Sequence, residues 1–214
     1  QLALFSKALS DEEPAFAVLY VCGRSGAGKS ALLTAFAQQS AAVDRPTFRL
    51  DGRAIQPNPH DFLSALCDRT GAHQPLHALP TRSVIMIDSY EQLAPLDSWL
   101  RNYLLPQLPY WTLVVLATRD QPSLDWRLDP GWQAITHFVQ LGDLTTADIA
   151  GYLQSRGIAQ AHTHSIARLA GGFPLAVALA SETLLQRPDV DLDGLSARNC
   201  VPTLLQCFLS ACPS

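Results

Sequence analysis

Residues 23–30 read Gly-Arg-Ser-Gly-Ala-Gly-Lys-Ser, a complete G-x-x-x-x-G-K-[ST] phosphate-binding loop. The loop follows the apolar run 15–22 and precedes residues 31–36, whose composition is typical of a helix. In this order, the N–H groups of a glycine-rich loop surround phosphate oxygens, and the helix directs its positive dipole end at the same anion. The alternative is a glycine-rich turn with an exposed lysine, which does not need this order of elements. The feature therefore predicts a nucleotide-phosphate site in an α/β protein.

The loop assigns roles to individual side chains. We expect Lys29 to contact the β- and γ-phosphates and the Ser30 hydroxyl to ligate Mg²⁺. Arg24 is expected to be solvated rather than catalytic. The residues expected to bind the nucleotide here are Gly23, Ser25, Gly26, Ala27, Gly28, Lys29, Ser30 and Ala31.

The composition is that of a soluble, cytoplasmic globular protein. Of the 214 residues, 48% are apolar, so a sizeable core can be buried, and no apolar run approaches the length of a membrane span. Residues 1–20 contain three acidic residues and a proline where a secretory signal needs an apolar stretch. The net charge of −4 argues against direct nucleic-acid binding by this domain. Five cysteines at spacings that match no zinc pattern are expected to be reduced thiols: Cys22, Cys67, Cys200, Cys207 and Cys212.

The order of predicted elements defines the fold class. Further strands are predicted at 47–51, 84–88, 112–118 and 135–141, with helices that begin after Asn58 and span about 96–105. Beyond residue 141 only helices are predicted: from a capping box at 145–148 toward 157, over about 165–170, and from Pro174. We therefore predict a doubly wound, five-stranded parallel sheet over 1–141 and an all-helical part over 142–214.

Asp88 is the last residue of a predicted strand whose other residues are apolar. Ligands of open α/β sheets bind at this carboxyl end of the strands. An ionised carboxylate there is costly unless it is paired, and Mg²⁺ held with Ser30 is the expected partner. Glu91 is the candidate general base; the alternative is a helix-capping or surface acid.

Arg119 ends another apolar strand. If that strand lies between the phosphate-loop strand and the Asp88 strand, Arg119 is delivered to the γ-phosphate, whose developing charge it would stabilise. The alternative is a surface arginine paired with Asp120 or Asp125. Asp51, at the end of its own strand, is either structural or a partner of Arg53.

The identity of the nucleobase is inferred from two motifs that do not occur in the sequence. No Asn/Thr-Lys-x-Asp element, which reads guanine in GTPases, follows any predicted strand, and the Leu-Ser-Gly-Gly-Gln signature of transporter ATPases does not occur. ATP is therefore favoured over GTP.

Four segments in order resemble the STAND class of signalling ATPases, relatives of AAA+ proteins that include NB-ARC domains and large bacterial transcription activators. They are Gly-Arg-Ser-Gly-Ala-Gly-Lys-Ser at 23–30, Val-Ile-Met-Ile-Asp at 84–88, Ala-Thr-Arg at 117–119 and Gly-Gly-Phe-Pro-Leu-Ala at 171–176. The resemblance extends over residues 2 to about 185. It implies an ATP/ADP site with Mg²⁺, a helical lid over 142–214 followed by a further domain outside this chain, and Pro174 beside the adenine. It also implies that the Thr-Arg strand lies between the other two.

One departure from the family pattern is Ser89, where many of these ATPases carry a second acid, which predicts weak hydrolysis. The leading hypothesis is an ATP-driven switch with a weak, regulated ATPase activity, controlled by intramolecular effector domains and capable of nucleotide-dependent self-association. Two alternatives are an AAA+-like, DNA-associated remodelling ATPase and a small-molecule or nucleotide kinase. A kinase usually has an arginine-rich lid, whereas 141–185 offers only Arg156 and Arg168.

Overall fold

The computed structural model describes residues 1–71, 79–187, 190 and 192. The strands are β1 (Val18–Cys22), β2 (Thr47–Asp51), β3 (Val84–Asp88), β4 (Leu113–Thr118) and β5 (Thr136–Gln140). The helices are α1 (Leu2–Ser10), α2 (Lys29–Ala42), α3 (Pro59–Thr70), α4 (Leu124–Leu128), α5 (Pro130–Ile135), α6 (Thr146–Ser155), α7 (Thr163–Ala170) and α8 (Pro174–Gln186). The cysteines at 200, 207 and 212 lie outside the described residues.

The five strands form one parallel sheet in the order β2-β3-β4-β1-β5, which confirms the predicted fold class. β4 pairs with β1 on one side, Thr118 opposite Cys22, and with β3 on the other, Leu116 opposite Ile87. The strand that ends in Thr118 therefore lies between the phosphate-loop strand and the Asp88 strand, as expected. The polar residues that follow these three strands emerge at one edge of the sheet.

Both faces of the sheet are buried, which explains why the central strands are apolar throughout. Along β3, Ile85 and Ile87 face a core that includes α3 and Trp126, while Val84 and Met86 face the opposite core with α1 and α2. Successive side chains of a strand point to opposite faces, so a strand covered on both sides cannot show polar alternation. The sheet is the middle of three layers.

The termini of α3 follow the predicted chemistry. The Asn58 side chain accepts a hydrogen bond from the Asp61 backbone N–H, and Pro59 occupies the first helical turn. Gly71 ends the helix in the left-handed region with φ 69°. The predicted start after Asn58 is confirmed.

Three regions differ from the sequence expectation. The helix predicted over about 96–105 is a longer helical segment, 90–107, in which 3₁₀ turns flank a short α turn and the π-helical stretch Leu100–Leu104. α1 was not predicted; it is held by burial of its apolar face, including Phe5, which stacks on Phe36 of α2 at 4.1 Å between ring centroids. No helix is predicted between the strands at 112–118 and 135–141, but the structure has α4 and α5 there, and Pro130 begins α5 with Asp129 as its cap.

The described contacts divide the chain into two compact units. Of the described residues, the first unit comprises those of Gln1–Ser25 and Lys29–Leu141, and the second comprises Gly26–Gly28 with those from Gly142 to 192. In the second unit, α6, α7 and α8 share a core that includes Ile149, Leu153 and Ile166. The predicted capping box is present: the Thr145 hydroxyl accepts from the Asp148 backbone N–H, and the Asp148 carboxylate accepts from the Thr145 backbone N–H. That the second unit acts as a lid stays a prediction.

Candidate phosphate-binding site

The loop between β1 and α2 has a backbone that only glycine adopts easily. Gly26 and Gly28 have φ of 78° and 90°, in the region that L side chains rarely occupy. Lys29, the first residue of α2, turns its ammonium back onto the loop, where Nζ donates to the carbonyl oxygens of Gly23 at 2.5 Å and Arg24 at 3.0 Å. Among the predicted loop residues, Gly23 and Ala27 are buried, Gly26, Gly28 and Lys29 are half-buried, and Ser25, Ser30 and Ala31 are exposed.

Three charged side chains act on the Lys29 ammonium. Burial lowers the pKa of Lys29 below its usual value; the carboxylates of Glu91 and Asp88 oppose this shift, and the Arg119 guanidinium adds to it. The four predicted catalytic residues are therefore close enough to interact electrostatically, although they lie on four different segments of the chain.

Asp88 ends β3 and is 6% exposed. Its Oδ1 accepts from the backbone N–H of Ser89 at 2.9 Å, and its Oδ2 accepts from Nη2 of Arg49 at 2.7 Å. Each oxygen of this buried carboxylate thus has a partner, which offsets the cost of burying its charge.

Arg49, in β2, also lies at this site, although no sequence motif includes it. Its guanidinium also contacts α2, through Nη1 to Thr34 Oγ1 at 3.1 Å and Nη2 to the Ser30 carbonyl oxygen at 3.5 Å. The one available signal was a charged residue between the apolar Phe48 and Leu50 of a predicted strand. Its partner could not be read from the sequence, because the partner depends on strand register.

Glu91 and Arg119 form an ion pair. Arg119 Nε lies 3.2 Å from Glu91 Oε1, and the Arg119 backbone N–H donates to Glu91 Oε2 at 3.1 Å. The Glu91 side chain is only 10% exposed, so it is not a solvated surface acid. The alternative carboxylates do not pair with Arg119: Asp125 pairs with Arg101 at 2.6 Å.

The donor set fits Mg²⁺. The Ser30 hydroxyl and the Asp88 carboxylate are hard oxygen donors, and Mg²⁺ in nucleotide sites takes one or two protein oxygens together with phosphates and water. Arg49 contacts both residues, which shows that Asp88 and the first turn of α2 border the same space. Mg²⁺ bound there would neutralise phosphate charge.

In the second unit, the Gly-Gly-x-Pro element has a structural basis. Gly171 ends α7 with φ 56°, and Gly172 has φ 79°. A Cβ added at Gly172 would lie 2.6 Å from the Leu144 carbonyl oxygen, and the Gly172 carbonyl accepts from the Leu144 N–H at 2.7 Å. Pro174 then occupies the first turn of α8. Its predicted position beside an adenine stays a prediction.

Asp51 and Arg53 are partners, one of the two outcomes anticipated for Asp51. Arg53 Nη2 lies 2.7 Å from Asp51 Oδ2, and both side chains are substantially exposed. Among the described helices, none has the length and apolar character needed to cross a membrane.

No protein-family model and no curated protein matches the sequence. Solved structures do match its fold. The Aeropyrum pernix Orc1 protein in complex with DNA is 15% identical, with a TM-score of 0.60 over 96% of this chain and 62% of that one. The Thermotoga maritima RuvB Holliday junction branch migration motor is 16% identical, with a TM-score of 0.58 over 96% and 66%. The replication initiator DnaA bound to AMPPCP and single-stranded DNA is 12% identical, with a TM-score of 0.55 over 86% and 60%.

The chain spans less than two thirds of the length of each of these three proteins. At such low identity the similarity concerns the fold. With its parallel sheet in the order β2-β3-β4-β1-β5 and its phosphate loop after β1, the chain has the fold of the AAA+ P-loop ATPases.

Proposed function

We propose that this chain is an ATP- and ADP-binding switch domain with slow or regulated ATP hydrolysis, and that it is part of a larger multidomain regulator. One observation carries the proposal: Lys29 interacts electrostatically with Asp88 and with the Glu91–Arg119 pair at one edge of the sheet. In an open α/β sheet, ligands bind at the carboxyl ends of the strands.

Each residue then has a role. Lys29 and the loop N–H groups hold the β- and γ-phosphates, and Ser30 and Asp88 hold Mg²⁺. Arg119 contacts the γ-phosphate, and Glu91 positions and deprotonates the attacking water.

The Glu91–Arg119 ion pair supports a switch rather than a fast enzyme. A γ-phosphate offers Arg119 a more highly charged partner than one carboxylate, so ATP and ADP differ in the contacts they can make. While Glu91 is held by Arg119, it is less available as a base. Ser89 also supports slow turnover, because it stands where many related ATPases carry a second acid.

The STAND class remains the proposed identity within the AAA+ fold, on the basis of the ordered motifs. In that class, Pro174 would contact the adenine and effector domains outside this chain would respond to the nucleotide. Direct nucleic-acid binding by this domain is not proposed, because its net charge is −4.

A DNA-associated remodelling ATPase is the second candidate. Three similar solved structures favour it: the Orc1 and DnaA structures contain DNA, and RuvB is a branch migration motor. ATP-dependent assembly of the full-length protein on DNA, measured by sedimentation, would support this alternative. A strictly monomeric ATP-bound form would remove it. A kinase is less well supported, because Arg156 is already ion-paired with Glu182.

Isothermal calorimetry with ATP, ADP and GTP tests the proposal. We expect ATP and ADP to bind, GTP to bind more weakly, and Lys29→Ala to lose the binding of both adenine nucleotides. Lys7, exposed in α1, is the other lysine of the chain, and Lys7→Ala is the matched control. A folded sample that binds neither ATP nor ADP would refute the proposed function.

A further inference from the structure

The pairing of Asp88 with Arg49 bears on the metal requirement of the proposed site. Asp88 is 6% exposed, and the Arg49 side chain is 38% exposed. Arg49 Nη2 lies 2.7 Å from Asp88 Oδ2. A carboxylate buried to this degree needs a positive partner, and here the protein provides it from a neighbouring strand.

The strand register fixes this pair. Arg49 in β2 lies opposite Met86 in β3, and Asp88 is two residues further along β3. Met86 and Asp88 share one face of the sheet, so Arg49 and Asp88 are diagonal neighbours on that face. This is the face that α2 covers, which is why the same guanidinium also reaches Thr34 and Ser30.

Arg49 has other partners if it leaves Asp88. Thr34 Oγ1 accepts from Nη1 at 3.1 Å, and the Ser30 carbonyl oxygen lies 3.5 Å from Nη2. The hydrogen bond from the Arg53 side chain lowers the pKa of Asp51, and the Arg49 charge adds a smaller contribution in the same direction. The guanidinium can therefore move away from Asp88 and still lie among acceptors and solvent.

We propose that Arg49 is the built-in counter-ion of Asp88 and that its guanidinium competes with Mg²⁺ for this carboxylate. The inference rests on the proposed nucleotide site and concerns the regulation of that site. When Asp88 takes part in holding Mg²⁺, Oδ2 has to give up Arg49, because two cations this close repel each other. When Mg²⁺ is scarce, Arg49 neutralises Asp88 and removes a negative charge that would repel the phosphates. Arg49 thus makes nucleotide binding less dependent on Mg²⁺.

The proposal predicts the behaviour of Arg49→Gln. Without the guanidinium, Asp88 is an unpaired carboxylate beside the phosphates, so ADP binding in excess EDTA weakens. In excess Mg²⁺ the competitor is gone, so binding is unchanged or stronger. The ratio of Kd in EDTA to Kd in Mg²⁺ should rise by about tenfold, which corresponds to about 1.4 kcal/mol.

Calorimetry with ADP, in Mg²⁺ and in EDTA, measures this ratio for the wild type and for each variant. Arg53→Gln is the matched control, because Arg53 pairs with Asp51 at the end of the same strand and acts on Asp88 only through a weaker, longer-range attraction. Its ratio should therefore stay close to that of the wild type. An unchanged ratio in Arg49→Gln, or an equal rise in both variants, overturns the proposal.

Two further variants make the test decisive. In an Asp88→Asn background, Arg49→Gln should not change the ratio, because the carboxylate is already gone; a persisting effect would show that Arg49 acts elsewhere. If Arg49→Gln does not fold, Arg49→Met replaces it. Methionine keeps a long, unbranched side chain without the charge, so the same rise is expected and a wild-type ratio overturns the proposal. A wild-type protein that binds no ADP under either condition refutes the proposed function itself. That outcome differs from an unchanged ratio in Arg49→Gln, which refutes only the role of Arg49.

Discussion

Ser89, directly after Asp88, has a left-handed backbone with φ 53°. For a residue other than glycine, this conformation costs about 1 kcal/mol or more and persists where its surroundings hold it. Here the Ser89 N–H donates to Asp88 Oδ1, and Gly52 packs against the same turn. A Cβ added at Gly52 would lie 2.5 Å from the Ser89 carbonyl oxygen. The turn thus fixes the Asp88 carboxylate from the backbone side, while Arg49 holds it from the other.

At the same scale, Glu91→Gln tests the proposed base. The amide keeps the shape of the side chain but cannot accept a proton, so turnover should fall by about 10²- to 10⁴-fold while nucleotide affinity stays close to that of the wild type. Single-turnover hydrolysis and calorimetry measure the two quantities. Glu13→Gln, at an exposed position, is the matched control. A loss of binding as large as in Lys29→Ala would remove the base role from Glu91.

At the scale of elements, Asp97 joins the segment that carries Glu91 to the segment that follows Arg119. Its Oδ1 accepts from the Tyr90 hydroxyl and from Trp126 Nε1, each at 2.7 Å, and its Oδ2 accepts from Arg101 Nε at 3.1 Å. Burial raises the pKa of Tyr90, and the Asp97 carboxylate adds to that shift. The hydroxyl therefore stays protonated and remains a donor to Asp97. This network connects the helical segment after β3 to α4.

Asp97→Asn should therefore destabilise the first unit by about 2 kcal/mol, because Arg101, which is 5% exposed, loses one of its two carboxylate acceptors. The free energy of unfolding in urea measures the change. The matched control is Asp125→Asn, which removes the other partner of Arg101 from a side chain that is 68% exposed. That change should cost no more than about 1 kcal/mol. Equal costs for the two variants would show that the Asp97 network is not a stabilising junction.

At the scale of the whole molecule, a bound adenine nucleotide should stabilise the folded chain. A ligand present at 100 times its Kd, and bound only by the native state, adds about 2.7 kcal/mol to the free energy of unfolding. All four tryptophans lie in the first unit, so their fluorescence reports its unfolding, whereas circular dichroism reports helices of both units. We expect a shift in the tryptophan signal with ATP or ADP and no shift in Lys29→Ala. An equal shift in that variant would place the nucleotide elsewhere.

Much of the fold could be predicted because its signals are local. The apolar run at 84–88, the cap and stop of α3, and the Thr145 capping box each depend on residues within one element. α1 escaped prediction because its stability comes from contacts such as that between Phe5 and Phe36, on different helices. The irregular 90–107 segment escaped prediction for the same reason, since tertiary contacts such as those of Asp97 override local helix preference.

The phosphate loop, the class of the sheet and the candidate residues Lys29, Asp88, Glu91 and Arg119 follow from the sequence alone. How these side chains pair depends on the tertiary structure. The Arg49–Asp88 partners are 39 residues apart in the chain and the Glu91–Arg119 partners 28 apart, and strand order and register bring each pair together. Local patterns specify an element. The partner of a charged side chain depends instead on which elements become neighbours when helices cover the two faces of the sheet.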